Sequence, residues 1–258
     1  MKRLILLIAL AVGLVIFGAA CDPSTWFQKE ADKDDEDKLP YRYLPALAAG
    51  GLGAALDPYD GSLELFDPAK NRHDSIVTSP DIVHAAVMDD GKTIVLLDGK
   101  RDKVHVVNAP AAKVRAEIEV GETVNYLLPS PYGAYVLAVY NAEMGEVEYG
   151  DSGLINFFEI DVLNINTGTN QAKSIDFTPQ LILFSPDNRH CLLGRDYRLI
   201  DLNLENGEIV SFPLSLGPDD PRTPRVMAIT SDGELAMVLV QETNDVYVLD
   251  LANKTINI

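Results

Sequence analysis

The sequence predicts an all-β protein built from repeated four-stranded units, and three observations carry the prediction. Small turns recur, each opening an apolar strand: Asp89-Asp90-Gly91, Pro131-Tyr132-Gly133, Pro186-Asp187-Asn188 and Ser231-Asp232-Gly233. An Asp or Asn closes a later strand in each unit: Asn108, Asn164, Asp201 and Asp250 lie 18, 32, 14 and 18 residues after Asp90, Tyr132, Asp187 and Asp232. The turns themselves are 42, 55 and 45 residues apart. A period of roughly 40–45 residues made of short strands is the signature of β-propeller blades.

Taken in order, residues 41–78 form a degenerate first blade. Leu63-Glu64-Leu65-Phe66-Asp67 matches the third strand of the later units, and Gly50-Gly51 occupies the turn position. The second blade, near 81–120, carries Ile94-Val95-Leu96-Leu97, and the third, near 123–177, carries Tyr135-Val136-Leu137-Ala138-Val139. Such continuous apolar runs fit strands covered on both faces, as between stacked sheets, better than half-exposed strands. Blades four and five fall near 178–214 and 223–258. The turn residues act mechanically, because Asp bonds the backbone two residues on and Gly accepts a positive φ. Blade three is longer because Asn141–Gly153 is inserted between its second and third strands. An insertion confined to one repeat maps to a loop on one face, often the binding face.

Three segments carry a family resemblance: Ser185-Pro186-Asp187, Val246-Tyr247-Val248-Leu249-Asp250 and Asn166-Thr167-Gly168. They resemble the YVTN and WD40-like propellers of bacterial envelope proteins, closely over residues 81–258 and less so over 41–80. The resemblance implies a propeller but not an activity, since propellers host binders, lactonases and quinoproteins alike. Five repeats fit a complete five-bladed ring, and they fit part of a six- to eight-bladed one equally.

The first forty residues follow different rules. Met1-Lys2-Arg3, the mostly apolar run Leu4–Ala20 and then Cys21 make a basic start, an apolar middle and small residues before a cut, the pattern of an export signal. Gly18-Ala19-Ala20-Cys21 resembles a bacterial lipobox, which implies cleavage between Ala20 and Cys21 and acylation of Cys21. It departs from that family at Gly18, where an aliphatic residue is usual. An ordinary signal peptide and an uncleaved anchor are the other readings of this segment. Residues 21–40 then hold seven carboxylates against three lysines, a composition expected to remain an extended tether. The domain proper spans 41–258.

Net charge is −18, and removing Lys2 and Arg3 with the signal makes it −20. A chain this acidic is repelled by phosphate backbones, so nucleic acid is not the expected partner. Membrane contact is expected through the lipid anchor only. Once Cys21 is acylated, Cys191 is the sole thiol and has no disulfide partner. It sits in the apolar run His190-Cys191-Leu192-Leu193 and reads as a small core residue.

Few motifs carry chemistry. Gly150-Asp151-Ser152-Gly153 resembles the nucleophile segment of trypsin-like proteases, but Leu154 stands where that family has another Gly, so a hairpin is the better reading. Gly51-Leu52-Gly53-Ala54-Ala55-Leu56 lacks the third glycine and the helix of a dinucleotide loop. His73, His84, His105 and His190 are scattered without metal-ligand spacing. The insertion supplies Glu143, Glu146, Glu148, Tyr149 and Asp151, the residues expected to form a binding loop. Clustered carboxylates suit Ca²⁺, but the EF-hand order is absent, so no cofactor is expected and calcium is the weak alternative. The sequence therefore points to an exported, lipid-anchored propeller that binds or scaffolds a basic ligand or envelope protein. A propeller enzyme with a funnel active site, lactonase-like or quinoprotein-like, is the alternative.

Overall fold

Strand boundaries in this chain are set by its turns, and the computed structural model shows how. Residues 47–49, 51–57, 61–144, 157–214, 222–241, 243 and 245–257 are described, within one compact unit, Leu44–Ile258. The signal, Ala20, Cys21 and the tether lie outside the described residues. No helix among the described residues is long and apolar enough to cross a membrane.

In blade two, Asp90 Oδ1 accepts from the backbone N–H groups of Lys92 and Thr93, both at 2.8 Å, while Oδ2 accepts from the Thr93 hydroxyl at 2.7 Å. One carboxylate thus satisfies the donors that the chain reversal leaves free. Asp187 and Asp232 repeat this, accepting from the N–H groups of Arg189 and Glu234 at 3.1 Å each. Gly91, Asn188 and Gly233 hold φ of 58°, 59° and 75° at the same turn position, a conformation that costs Gly and Asn least.

The strands form five four-stranded antiparallel sheets. Blade one contains β1 (Leu47–Ala49), β2 (Leu52–Leu56), β3 (Ser62–Asp67) and β4 (Arg72–Val77). Blade two contains β5 (Ile82–Val87), β6 (Thr93–Asp98), β7 (Lys103–Asn108) and β8 (Lys113–Glu119). Blade three contains β9 (Tyr126–Pro129), β10 (Tyr135–Val139), β11 (Glu159–Asn164) and β12 (Thr169–Ser174). Blade four contains β13 (Leu181–Phe184), β14 (His190–Arg195), β15 (Arg198–Asn203) and β16 (Ile209–Pro213). Blade five contains β17 (Pro224–Ile229), β18 (Leu235–Val240), β19 (Val246–Asp250) and β20 (Thr255–Asn257). In every blade the order in space is the order in sequence, the meander of a propeller blade.

One assignment from the sequence is corrected here. In blades two, three and five the first residue of the second strand pairs with the closing Asx, as Thr93 with Asn108, Tyr135 with Asn164 and Leu235 with Asp250. In blade four His190 pairs with Asn203, so Asn203, not Asp201, closes the strand. Asn203 Oδ1 accepts from the N–H groups of Glu205 and Asn206 at 2.9 and 3.1 Å, the turn bond that Asp67 and Asn164 also make. Asp201 lies two residues earlier, buried opposite Leu192, where no chain reversal supplies donors.

The core lies between blades rather than at one centre. Alternation along β6 sends Ile94 and Leu96 into the cluster shared with blade one, and Val95 and Leu97 into the cluster shared with blade three. Leu137 and Val139 of β10 meet Cys191 and Leu193 of β14 at the next junction. Leu192 and Leu199 then meet Ala236, Val238 and Tyr247 at the last. Each fully buried aliphatic side chain contributes roughly 1.5–3 kcal/mol. Cys191 is fully buried, and burial pushes its thiol pKa well up, which makes it an inert packing residue.

Candidate functional site

Each sheet has two ends. At one, tight turns join the first strand to the second and the third to the fourth. At the other lie the links from second strand to third and from blade to blade; in blade three the second-to-third link, residues 140–158 between β10 and β11, contains the insertion Asn141–Gly153.

The base of that insertion is fastened by a residue the sequence reading passed over. Asn125, 2% exposed, accepts at Oδ1 from the Asn141 N–H at 2.7 Å and donates through Nδ2 to the Asn141 carbonyl at 2.9 Å. A single 3-10 turn, Ala142–Met144, follows, and Asn141 Oδ1 accepts from the N–H of Glu143 at 3.0 Å. On the returning side the rings of Tyr140 and Phe157 meet with centroids 4.7 Å apart. No local motif marks Asn125, because its partner is sixteen residues away. Of the expected binding loop, Glu143 is exposed at this base, while Glu146, Glu148, Tyr149 and Asp151 lie outside the described residues.

At the same end of blades two and three as the base of the insertion runs a set of carboxylates that the sequence did not single out. Asp161 is fully buried; Oδ2 accepts from the Gly121 N–H at 2.7 Å and Oδ1 from Asn170 Nδ2 at 2.8 Å. Burial nevertheless raises its pKa above the ordinary value, and these bonds offset that only in part. Glu159, two residues earlier, is raised by burial and then by the charge of Asp161. The blade-two to blade-three link passes close to them at Gly121, where an added Cβ would come within 2.7 Å of Glu159 Oε1 and turn that side chain aside. Further along, Asp102 is raised by burial and by the charges of Glu122 and Asp98. Asp98 is fully buried, and its Oδ1 accepts from the N–H groups of Lys100 and Arg101 at 3.1 and 3.0 Å. Asp98, Asp102, Glu122, Glu159 and Asp161 thus form an acidic strip along the boundary of blades two and three.

At Asp102 and Glu159 burial and then neighbouring carboxylates disfavour the charged form, at Asp161 burial does, and the cation nearest the strip is Arg101, whose Nε lies 3.8 Å from Asp98 Oδ2. An incoming ammonium or guanidinium group would relieve both the mutual repulsion and the burial penalty. By contrast, the arginines at the same end of blades four and five are already engaged. Arg198 bonds the Asp176 carbonyl and lies over the Phe177 and Tyr197 rings, and Arg222 bonds the Tyr247 hydroxyl beside Asp245.

The four histidines are placed separately. His73 meets Glu64, His190 Nδ1 lies 2.8 Å from Asp201, and His105 lies between Asp98 and Glu117 at 3.7 and 3.5 Å. His84 accepts from the Leu127 N–H at 3.3 Å, and burial lowers its pKa to about 4. Among the described residues no three His, Cys, Asp or Glu side chains are grouped as metal ligands. At the turn end a cleft of about 230 Å³ between Met88, Asp90, Arg115 and Ile165 falls below the roughly 300–1,000 Å³ typical of ligand pockets. Its Asp90 carboxylate is already committed to the turn.

No family model and no curated protein matches this chain. Among solved structures it is similar to the C-terminal WD40 domain of Sif2, at 11% identity and TM-score 0.46 over 81% of this chain and 55% of that one. It is similar to the β-propeller domain of Myceliophteria thermophila Cps50 (Swd1), at 14% identity and TM-score 0.45 over 84% of this chain and 67% of that one. It is similar as well to the dihydro-heme d1 dehydrogenase NirN, at 17% identity and TM-score 0.46 over 85% of this chain and 47% of that one. The chain thus spans about half to two thirds of the length of these structures.

Proposed function

We propose that this chain is an exported, lipid-anchored β-propeller that works as a binding or scaffolding module at the cell envelope. It takes a cationic protein segment at the blade-three insertion and the acidic strip at the same end of the blades. The observation that supports this most is the strip itself: carboxylates held partly out of water, with Asp102, Glu159 and Asp161 raised in pKa, at the foot of the one large departure from the blade repeat. Export and anchoring rest on the basic-apolar-small segment ending in Cys21.

The two halves of the reading are tested separately. Mass spectrometry of membrane-extracted protein should show Cys21 as an acylated N-terminus with no peptide from residues 1–20; an unmodified Cys21 or an intact Met1 ends the anchoring proposal. For the site, an oligolysine peptide titrated against the full chain should bind, and it should release protons in buffers acidic enough for the raised carboxylates to be partly protonated, because the cation lowers their pKa values. Binding should weaken as salt shortens the Debye length below about 10 Å. Deleting Ala142–Asp151 together with Glu159→Gln should abolish it. Undiminished binding by that variant would place the contact elsewhere.

A further inference from the structure

The start of β11 divides two unlike surfaces at the end of the blades where the strip lies. Glu159 and Asp161 turn toward blade two, since Asp161 Oδ2 accepts from the Gly121 N–H of the link between blades two and three. Ile160 and Ile175 lie in the cluster shared with blade four. The Ile175 N–H donates to the Phe158 carbonyl at 2.9 Å, which carries the β11–β12 ladder one step past the pairing of Glu159 with Ser174. Alternation therefore puts Phe158 on the blade-four side, where it is 43% exposed. Tyr197, in the turn between β14 and β15 of blade four, is 49% exposed. Arg198 joins the two blades there: it bonds the Asp176 carbonyl, and its guanidinium lies 5.9 Å from the Phe177 ring and 5.5 Å from the Tyr197 ring. One side of the sheet end is acidic, and the other is aromatic.

We propose that the two sides together select a two-part ligand, a protein segment that carries an aromatic side chain within about three residues of a lysine or arginine. The inference rests on the proposed binding of a cationic segment and adds what that segment must carry besides charge. The cation goes to the blade-two side. There Asp98 is fully buried, and its Oδ2 accepts no hydrogen bond among the described residues, with His105 Nε2 at 3.7 Å and Arg101 Nε at 3.8 Å. The Arg101 side chain is 58% exposed, so a ligand cation exchanges with it at little cost. Its N–H donors supply the bond that Asp98 lacks and the counter-charge that Asp102 and Glu159 lack. The aromatic ring goes to the blade-four side, where Phe158 and Tyr197 offer rings to pack against. The Arg198 guanidinium beside them disfavours a second cation there. The spacing follows from sheet geometry. Adjacent strand residues point to opposite faces, and stacked sheets lie about 10 Å apart, so the two anchors sit about that far from each other. An extended segment rising about 3.3 Å per residue spans that gap in about three residues.

The test titrates two peptide amides against the full chain in mild detergent, with detergent alone as the blank. One has four lysines, two glycines and a final phenylalanine; the other ends in alanine instead. The phenylalanine peptide should bind about tenfold more tightly. Phe158→Ser combined with Tyr197→Ser should bring the ratio of the two affinities to about one. Glu159→Gln should weaken both peptides and leave the ratio high. Both aromatic sites are exposed, so the double variant should melt as wild type does. If it does not fold, Tyr197→Ser alone, in a turn, should still lower the ratio. Equal binding of the two peptides by wild type overturns this inference and leaves the cationic reading standing. Binding of neither peptide overturns both. A ratio that survives the loss of the rings overturns the inference as well, because the aromatic contact is then made elsewhere.

Discussion

Blades two and five share one repeat and one topology, yet their central strands live in different surroundings. All six residues of β6, Thr93–Asp98, are buried, whereas β18, Leu235–Val240, alternates between buried and open positions. Both read as continuous apolar runs, TIVLLD and LAMVLV. The turn and the closing Asx build a blade locally, but whether an apolar run is covered once or twice depends on the neighbours the sheet acquires. A repeat of this kind specifies the unit and the interface together, as in other arrays where each unit contacts only those beside it.

The comparison is broken most directly by cutting side chains on each blade. Leu97→Ala, deep in the junction of blades two and three, should cost about 2–5 kcal/mol by chemical denaturation, from lost burial plus the cavity left behind. A cost near zero would mean that the two-sided burial of blade two is not what stabilises it.

The next effect concerns turn chemistry, which the two blades share. Gly233 holds φ of 75° in blade five, and a Cβ there would run into the Asp187 carboxylate of blade four. Gly233→Val should therefore cost about 1–3 kcal/mol. Gly53→Ala is the control, because an added Cβ would meet nothing closer than 3.9 Å. Equal shifts in a thermal melt would contradict the turn alignment.

A smaller effect comes from the same register position in blade four, where His190 stands in place of Leu235. The hydrogen bond that His190 Nδ1 donates to Asp201 raises the His190 pKa above 6.5, against the opposing effect of burial. A raised folded pKa contributes stability that is fully present below the unfolded value near 6.5 and is lost as pH rises through the higher folded one. Wild type should therefore lose its advantage over His190→Asn as pH is raised across that window. A difference constant with pH would show that the pair does not titrate. The smallest effect belongs to the open positions of β18: Met237→Ala, at an exposed site, should change stability by no more than about 0.5 kcal/mol.

The candidate site was less legible than the fold. The insertion announces itself as a break in a regular spacing, so Glu143 and its neighbours could be named from the sequence. Asn125 could not, because its role depends on reciprocal bonds to Asn141 across a strand pair. Nor could the acidic strip, whose members sit on β6, the β6–β7 turn, the blade-two to blade-three link and β11. Nothing in a linear reading puts Asp102 beside Glu122, or Asp161 against the Gly121 N–H. The same limit explains the misplaced cap in blade four. Asp201 and Asn203 have the same turn chemistry, and only the register of β14 with β15 shows which one precedes the reversal.

What the sequence determined by itself was the blade: short apolar runs bounded by Asp, Asn and Gly at a regular period, because these residues satisfy or relax the backbone at a reversal within a few positions of their own. What only the tertiary structure decided was which face of each sheet is covered, which carboxylates stand together, and which polar side chain fastens the insertion. Those outcomes rest on contacts between residues far apart in the chain, and burial and electrostatics are set by what surrounds a group in space.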